Sequence, residues 1–127
     1  MIEAALVALL KADEGVAAIV GTRIYPAPAP ESATLPNVTW QQITDTPTRV
    51  AEGVLNYRQS RYQVNVWAAS TLVAINAANA MRAAIDAWTE EDVVFMAVTE
   101  NVTDLFDGSF APPRWGRALD IRVVHKE

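Results

Sequence analysis

Apolar residues repeat at helical spacing from the start of the chain. Ile2, Ala5, Leu6, Leu9 and Leu10 form one face of a first helix. Gly15 is placed to stop it, and Val16, Ala17, Ile19 and Val20 add one further helical turn that ends at Gly21. Pro26, Pro28 and Pro30 stand at alternate positions and predict an extended surface connection, because proline interrupts both helices and central strands. Residues 37–43 then have strand character, from Val38, Thr39, Trp40 and Ile43. Residues 44–56, with Pro47 and Gly53, read as an irregular loop or a long hairpin tip. Residues 57–68 alternate most clearly: Tyr62, Val64, Val66 and Ala68 on one face, Arg61, Gln63, Asn65 and Trp67 on the other. Ser70 is a plausible N-cap for a second helix to about Trp88, with Ala74, Ala77, Ala78, Met81 and Ile85 on its inner side. Its alanines let it sit close against a sheet. Residues 93–102 form another strand, residues 103–114 a loop, and residues 117–125 the last strand. The order predicts a single α+β domain over residues 1–127: an antiparallel sheet of about four strands, two helices packed on one face, and extended loops.

Length and charge narrow the possible functions. The chain has 127 residues, no cysteine, and 15 acidic against 10 basic residues, a formal charge of −5. A chain of this size supports a core without staples. The lack of cysteine excludes disulfides, thiolate metal sites and cysteine nucleophiles. An acidic surface disfavours sequence-independent clamping of nucleic acid, which rewards Lys and Arg through counterion release. The opening segment carries Glu3 and no basic n-region, so it does not read as a signal peptide, and no apolar run reaches the roughly 20 residues of a membrane span.

Catalytic, cofactor-binding and metal-ligating residues are all expected to be none. His125, the single histidine, reads as a surface side chain without a nucleophile or orienting partner. Glu90, Glu91 and Asp92 read as a solvated turn, and Asp104 with Asp107 lacks the remaining ligands of a calcium loop. No glycine loop or nucleophile elbow is present. Apolar and arginine side chains instead stand where solvent is expected. Arg49, Val54 and Tyr57 lie in or beside the first irregular segment, and Arg61 and Trp67 on the polar face of the clearest strand. Leu105, Phe106, Phe110 and Arg114 lie in the second irregular segment. These nine are the candidate protein-interface residues, since aromatic and arginine anchors concentrate at such surfaces. Loops folding back on the domain's own core are the competing explanation.

The order of several short motifs resembles a known family. Leu9-Leu10, Ala12-Asp13, Val20-Gly21-Thr22-Arg23-Ile24-Tyr25 and Leu35-Pro36 form a characteristic N-terminal half. Arg61-Tyr62-Gln63-Val64-Asn65-Val66-Trp67-Ala68, followed directly by a helix, forms the middle. The chain resembles the tail-completion proteins of long-tailed bacteriophages, also called tail terminators or tail-to-head joining proteins. The resemblance implies a non-enzymatic virion subunit, made in the bacterial host, that forms a homo-oligomeric, hexameric ring at the head-proximal end of the tail tube. The ring stops tube polymerisation and offers a surface to head-connector or neck proteins. Its partners would be copies of itself, the tail-tube protein and the connector, with no cofactor and no membrane. DNA would pass through without specific binding, and an acidic bore would repel phosphate. A head-completion or neck protein is the first alternative, and a small dimeric α+β ligand-binding domain the second.

Overall fold

The computed structural model describes residues 2–30, 33–50, 53–91, 93–109 and 113–126, with side chains described outside 47–56. Three helices lie on one face of a five-stranded sheet: α1 (Ile2–Ala12), α2 (Glu14–Val20), β1 (Ile24–Pro26), β2 (Asn37–Val50), β3 (Gly53–Ala68), α3 (Thr71–Asp86), β4 (Val94–Asp107) and β5 (Arg114–Lys126). The strand order is β1-β2-β3-β5-β4. The mixed α+β class is as expected, while the counts of four strands and two helices are corrected to five and three.

Local chemistry explains each difference. Gly15 does not stop the first helix; the chain breaks two residues earlier, where Asp13 accepts from the Val16 amide at 3.0 Å and caps a separate α2. Gly21, at φ 61°, ends α2 in a conformation that L side chains rarely adopt. The chain then forms β1, which pairs parallel with β2 at Val38–Trp40, so the sheet is not wholly antiparallel. Both expected loops are largely strand. β2 continues to Val50 and β3 begins at Gly53, pairing from Asn37↔Trp67 to Val50↔Gly53. β4 likewise runs to Asp107 and pairs with β5 as far as Asp107↔Arg114. A ladder tolerates Pro47 on a strand whose outer edge is unpaired, and register shifts at Gln42/Thr44 and Pro47/Arg49 absorb the irregularity.

The buried face follows the alternation. Tyr62, Val64 and Val66 on β3 and Leu119, Ile121 and Val123 on β5 are buried beneath Leu6, Leu10, Val16, Val20, Met81 and Ile85 of the helices. Ala74, Ala77 and Ala78 bring α3 close to the sheet, and Ser70 caps it by accepting from the Val73 amide at 3.3 Å. The opposite face carries Arg61, Gln63 and Trp67 of β3, which pair with Arg122, Asp120 and Gly116 of β5. Charge divides the same way. By sequence, residues 1–22 and 70–93, which include the helices and the acidic run Glu90-Glu91-Asp92 before β4, hold seven acidic and two basic residues and so the entire formal charge of −5; the remainder balances eight against eight.

Gly116 marks the tightest approach. A Cβ there would lie 2.6 Å from the Val66 carbonyl oxygen and 3.0 Å from the Trp67 ring. Gly116→Ala is therefore expected to cost about 1–3 kcal/mol, lowering Tm by roughly 3–15 °C. Thermal unfolding followed by circular dichroism checks this, and an unchanged Tm contradicts the close packing of Trp67 on β5.

Candidate assembly interface

The two long hairpins point to opposite ends of the sheet. β2 turns into β3 at one end, called here the hairpin end. β3 runs into α3 at the other, where β4 also turns into β5.

At the α3 end, Phe106 and Trp115 face each other across β4 and β5, ring centroids 4.5 Å apart. They are 58% and 37% exposed. With Thr71, Ala74 and Arg117 they border a groove on the helix side of the sheet. On the other face of the same end, Leu105 pairs with Gly116, under Trp67. The turn beyond is held by Asp107, whose carboxylate accepts from the Ser109 amide and hydroxyl. Those bonds hold its pKa below the usual carboxylate range. Arg117 Nε donates to Asp104 at 2.7 Å.

A second apolar patch occupies the hairpin end on the open face. Tyr57 and Phe95 meet edge to face at 5.9 Å and line a shallow apolar cleft with Met96 and Val124. Phe95 is half exposed because the register shifts between Val94 and Met96, leaving it as the extra residue of a bulge. The two patches thus lie at opposite ends and on opposite faces.

Between them the open face is polar and internally paired. Arg61 and Arg122 are directly opposite, an arrangement that like charges disfavour. Glu100 offsets it: a register shift between Thr99 and Asn101 frees it to reach Arg61 at 3.0 Å and Arg122 at 3.8 Å. Gln63 donates to Asp120, which also accepts from Asn101.

The nine sequence candidates divide accordingly. Leu105, Phe106, Arg114 and Trp67 gather at the α3 end, and Tyr57 lies in the other patch. Arg49 and Val54 are register partners near the hairpin tip, with side chains outside the described set. Arg61 stands in the polar band, and Phe110 lies outside the described residues. Sequence reasoning passed over Phe95, Met96 and Val93 as ordinary strand residues. The unbroken run Val93-Val94-Phe95-Met96 was the available signal, since four consecutive apolar residues cannot all face one core. The family motifs also meet in space: Arg23 Nε donates to the Pro36 carbonyl at 2.8 Å, holding the turn after α2 against the start of β2.

His125 is not a surface residue. It is 7% exposed, because β5 runs on to Lys126 beneath the helix layer. Its Nε2 lies 2.7 Å from Ser60 Oγ, and its Nδ1 lies 2.9 Å from the Lys126 carbonyl oxygen. The Nδ1 partner is a backbone carbonyl, so the pair lacks the carboxylate of a hydrolytic triad. Ser60 instead reaches Asp45 at 3.4 Å. Tyr62 lies beside this group, and burial raises its pKa strongly, with the Glu3 carboxylate adding to the effect. Its hydroxyl makes no hydrogen bond of good geometry.

Residues 4–122 match the family described as Tail completion protein gp17. No curated protein matches the chain. Among solved structures, a chain of the virion of a native gene transfer agent particle is similar with a TM-score of 0.77 at 19% identity, covering 99% of this chain and 95% of that one. At that identity the likeness concerns the fold.

The raised pKa of Tyr62 sets an alkaline limit. The folded state keeps its proton where the unfolded chain, near pKa 10, has lost it. The contribution is whole below about pH 10 and disappears as pH rises further. Tyr62→Phe is expected to leave stability at pH 7 within about 1 kcal/mol, since it removes an unpaired buried hydroxyl. It should also flatten the loss of stability between about pH 9.5 and 11. Urea unfolding of both proteins across that range checks this; equal pH slopes contradict it.

Proposed function

The chain belongs to the Tail completion protein gp17 family, whose members are structural virion components, and on that premise we propose that it is a tail terminator. Copies form a ring at the head-proximal end of the tail tube, stop its polymerisation, and present their other side to the head connector. The observation that best supports this reading is the placement of two dissimilar apolar patches, Phe106–Trp115 and Tyr57–Phe95–Met96, at opposite ends of the sheet. A subunit that must join one structure below to a different one above needs two unlike contact surfaces. A closed symmetric dimer needs only one. The fold's similarity to a chain within a gene transfer agent virion accords with a place in such a particle.

The hairpins suit the same task. The β4–β5 hairpin extends the central sheet, so Phe106 and Trp115 are carried on paired strands, and Tyr57 and Phe95 likewise stand on β3 and β4 rather than on a loop. Exposed aromatic rings of this kind cost little to order on binding and supply large contact area.

Added to polymerising tail-tube protein, the chain is expected to shorten the tubes in proportion to its concentration and to sit at their ends in electron micrographs. Unchanged length distributions with bare ends contradict the proposal. Phe106→Ser and Phe95→Ser each change an exposed side chain, so Tm should move by no more than about 2 °C. One of the two should abolish tube-end binding while the other spares it and blocks head attachment. Equal binding by both variants and the parent chain contradicts the two-patch assignment.

A further inference from the structure

Both edges of the sheet are open, each along only part of its length. β4 is the outermost strand on one side. Its first half is covered, because Glu90 bridges to Val94 and the Thr99 amide donates to Asp86 Oδ1 at 2.8 Å. From Asn101 to Asp107 no strand pairs with its outer side among the described residues. On the other side, β1 covers β2 only at Val38–Trp40. Gln41 to Thr46 are exposed and, among the described residues, have no outer partner strand, and Pro47 ends the stretch that a ladder can use. Free main-chain edges of this kind pair readily with another chain unless they are protected.

The two free segments lie at different heights. Asp104 pairs with Arg117, Arg117 with Val66, and Val66 with Val38, so the free half of β4 is level with the covered part of β2. Two copies set side by side at one height could not join. To pair, one must slide along the strands until Asp104 lies level with residues 42–44 of its neighbour, a shift of four to six residues, or roughly 14–20 Å. The four long strands span about 19 Å across the sheet. A slide of that size over that width inclines the strands by roughly 35–45°, the tilt that closes a sheet into a barrel. Strand direction agrees: β2–β3, β3–β5 and β5–β4 are all antiparallel, so β4 meets a neighbour's β2 antiparallel as well.

We propose that neighbouring copies join edge to edge, the Asn101–Asp107 half of β4 on one copy pairing with Gln41–Thr46 of β2 on the next, so that the sheet runs unbroken around the ring. This rests on the ring reading and names the contact that builds it. The helix layer takes the wider outer circumference and the open face turns inward, its polar band of Arg61, Gln63, Glu100 and Asp120 lining the bore and the Tyr57–Phe95–Met96 patch lying at the rim of the hairpin end. Six copies would close at about 50 Å between facing backbones, wide enough for a DNA duplex. The lining then sets Arg61 and Arg122 against Glu100 and Asp120 and is charge-balanced, in place of the acidic bore expected from the resemblance. Without net positive charge it still offers DNA no counterion-releasing grip.

The chain has no cysteine, so a Thr44→Cys/Thr103→Cys double variant gives a clean test. The two positions lie on opposite edges of one subunit, too far apart for a bond within a chain. Rings assembled on tube ends and then oxidised are expected to yield a covalent ladder up to the full ring on non-reducing gels. Rings that form, as seen by electron microscopy, but give only single chains would overturn the edge pairing and leave the ring reading intact. Absence of rings for the parent chain as well overturns both. Hydrogen exchange on the parent protein covers the case of a poorly folding variant. Amides in 41–46 and 101–107 should exchange roughly 100-fold more slowly in the ring than in the free chain, and equal rates refute the pairing.

Discussion

The pairing of β3 with β5 is the constraint on which the rest of the structure depends. Twelve consecutive register pairs, from Tyr57↔Lys126 to Ala68↔Trp115, join strands 46 or more residues apart in sequence. Side chains alternate with a period of two, so a slip of one residue would carry Tyr62, Val64, Leu119 and Ile121 away from the helices and bury Arg61 and Arg122. The burial of those four side chains therefore fixes the register. The register in turn fixes everything outside the core: Trp67 over Gly116, Arg61 against Arg122, and Ser60 within reach of His125. It also places the two hairpins at opposite ends, because β2 and β4 are anchored on either side of this pair.

The same frame separates two kinds of surface. The helices cover the core, whereas the open sheet face is polar, with Arg61 and Arg122 set against Glu100 and Asp120. Register shifts in β4 do the local work of turning side chains away from the ladder. One releases Glu100 to sit between two arginines, and the other exposes Phe95 beside Tyr57. The irregularities of the edge strand thus create features suited to contact.

Much of this was legible in the sequence. The alternation of 57–68 located the core face, and Ser70 marked the start of α3. Asp13 was harder to read, because Gly15 two residues later is the more conspicuous helix stop. The strand extensions were hidden by Pro47 and Asp107-Gly108, which signal turns when read locally; long-range pairing outweighs that preference at an edge. His125 read as a surface residue because no partner for it is visible in the sequence, yet the alternation of β5 places it on the core face with Val123 and Ile121, against Ser60 of β3. Of the candidate interface, the aromatic pair at the second hairpin was visible as misplaced apolar residues. The patch at Phe95 depends on a bulge, whose position no pattern of hydrophobicity specifies.

A density map of the assembled ring, at a resolution that separates strands, tests the central claim most directly. The proposal predicts helices on the outside, β4 of each copy antiparallel to β2 of the next in one continuous sheet, and Arg61 and Asp120 lining the bore. A ring whose bore is lined by helices, or whose subunits meet without strand pairing, would contradict it.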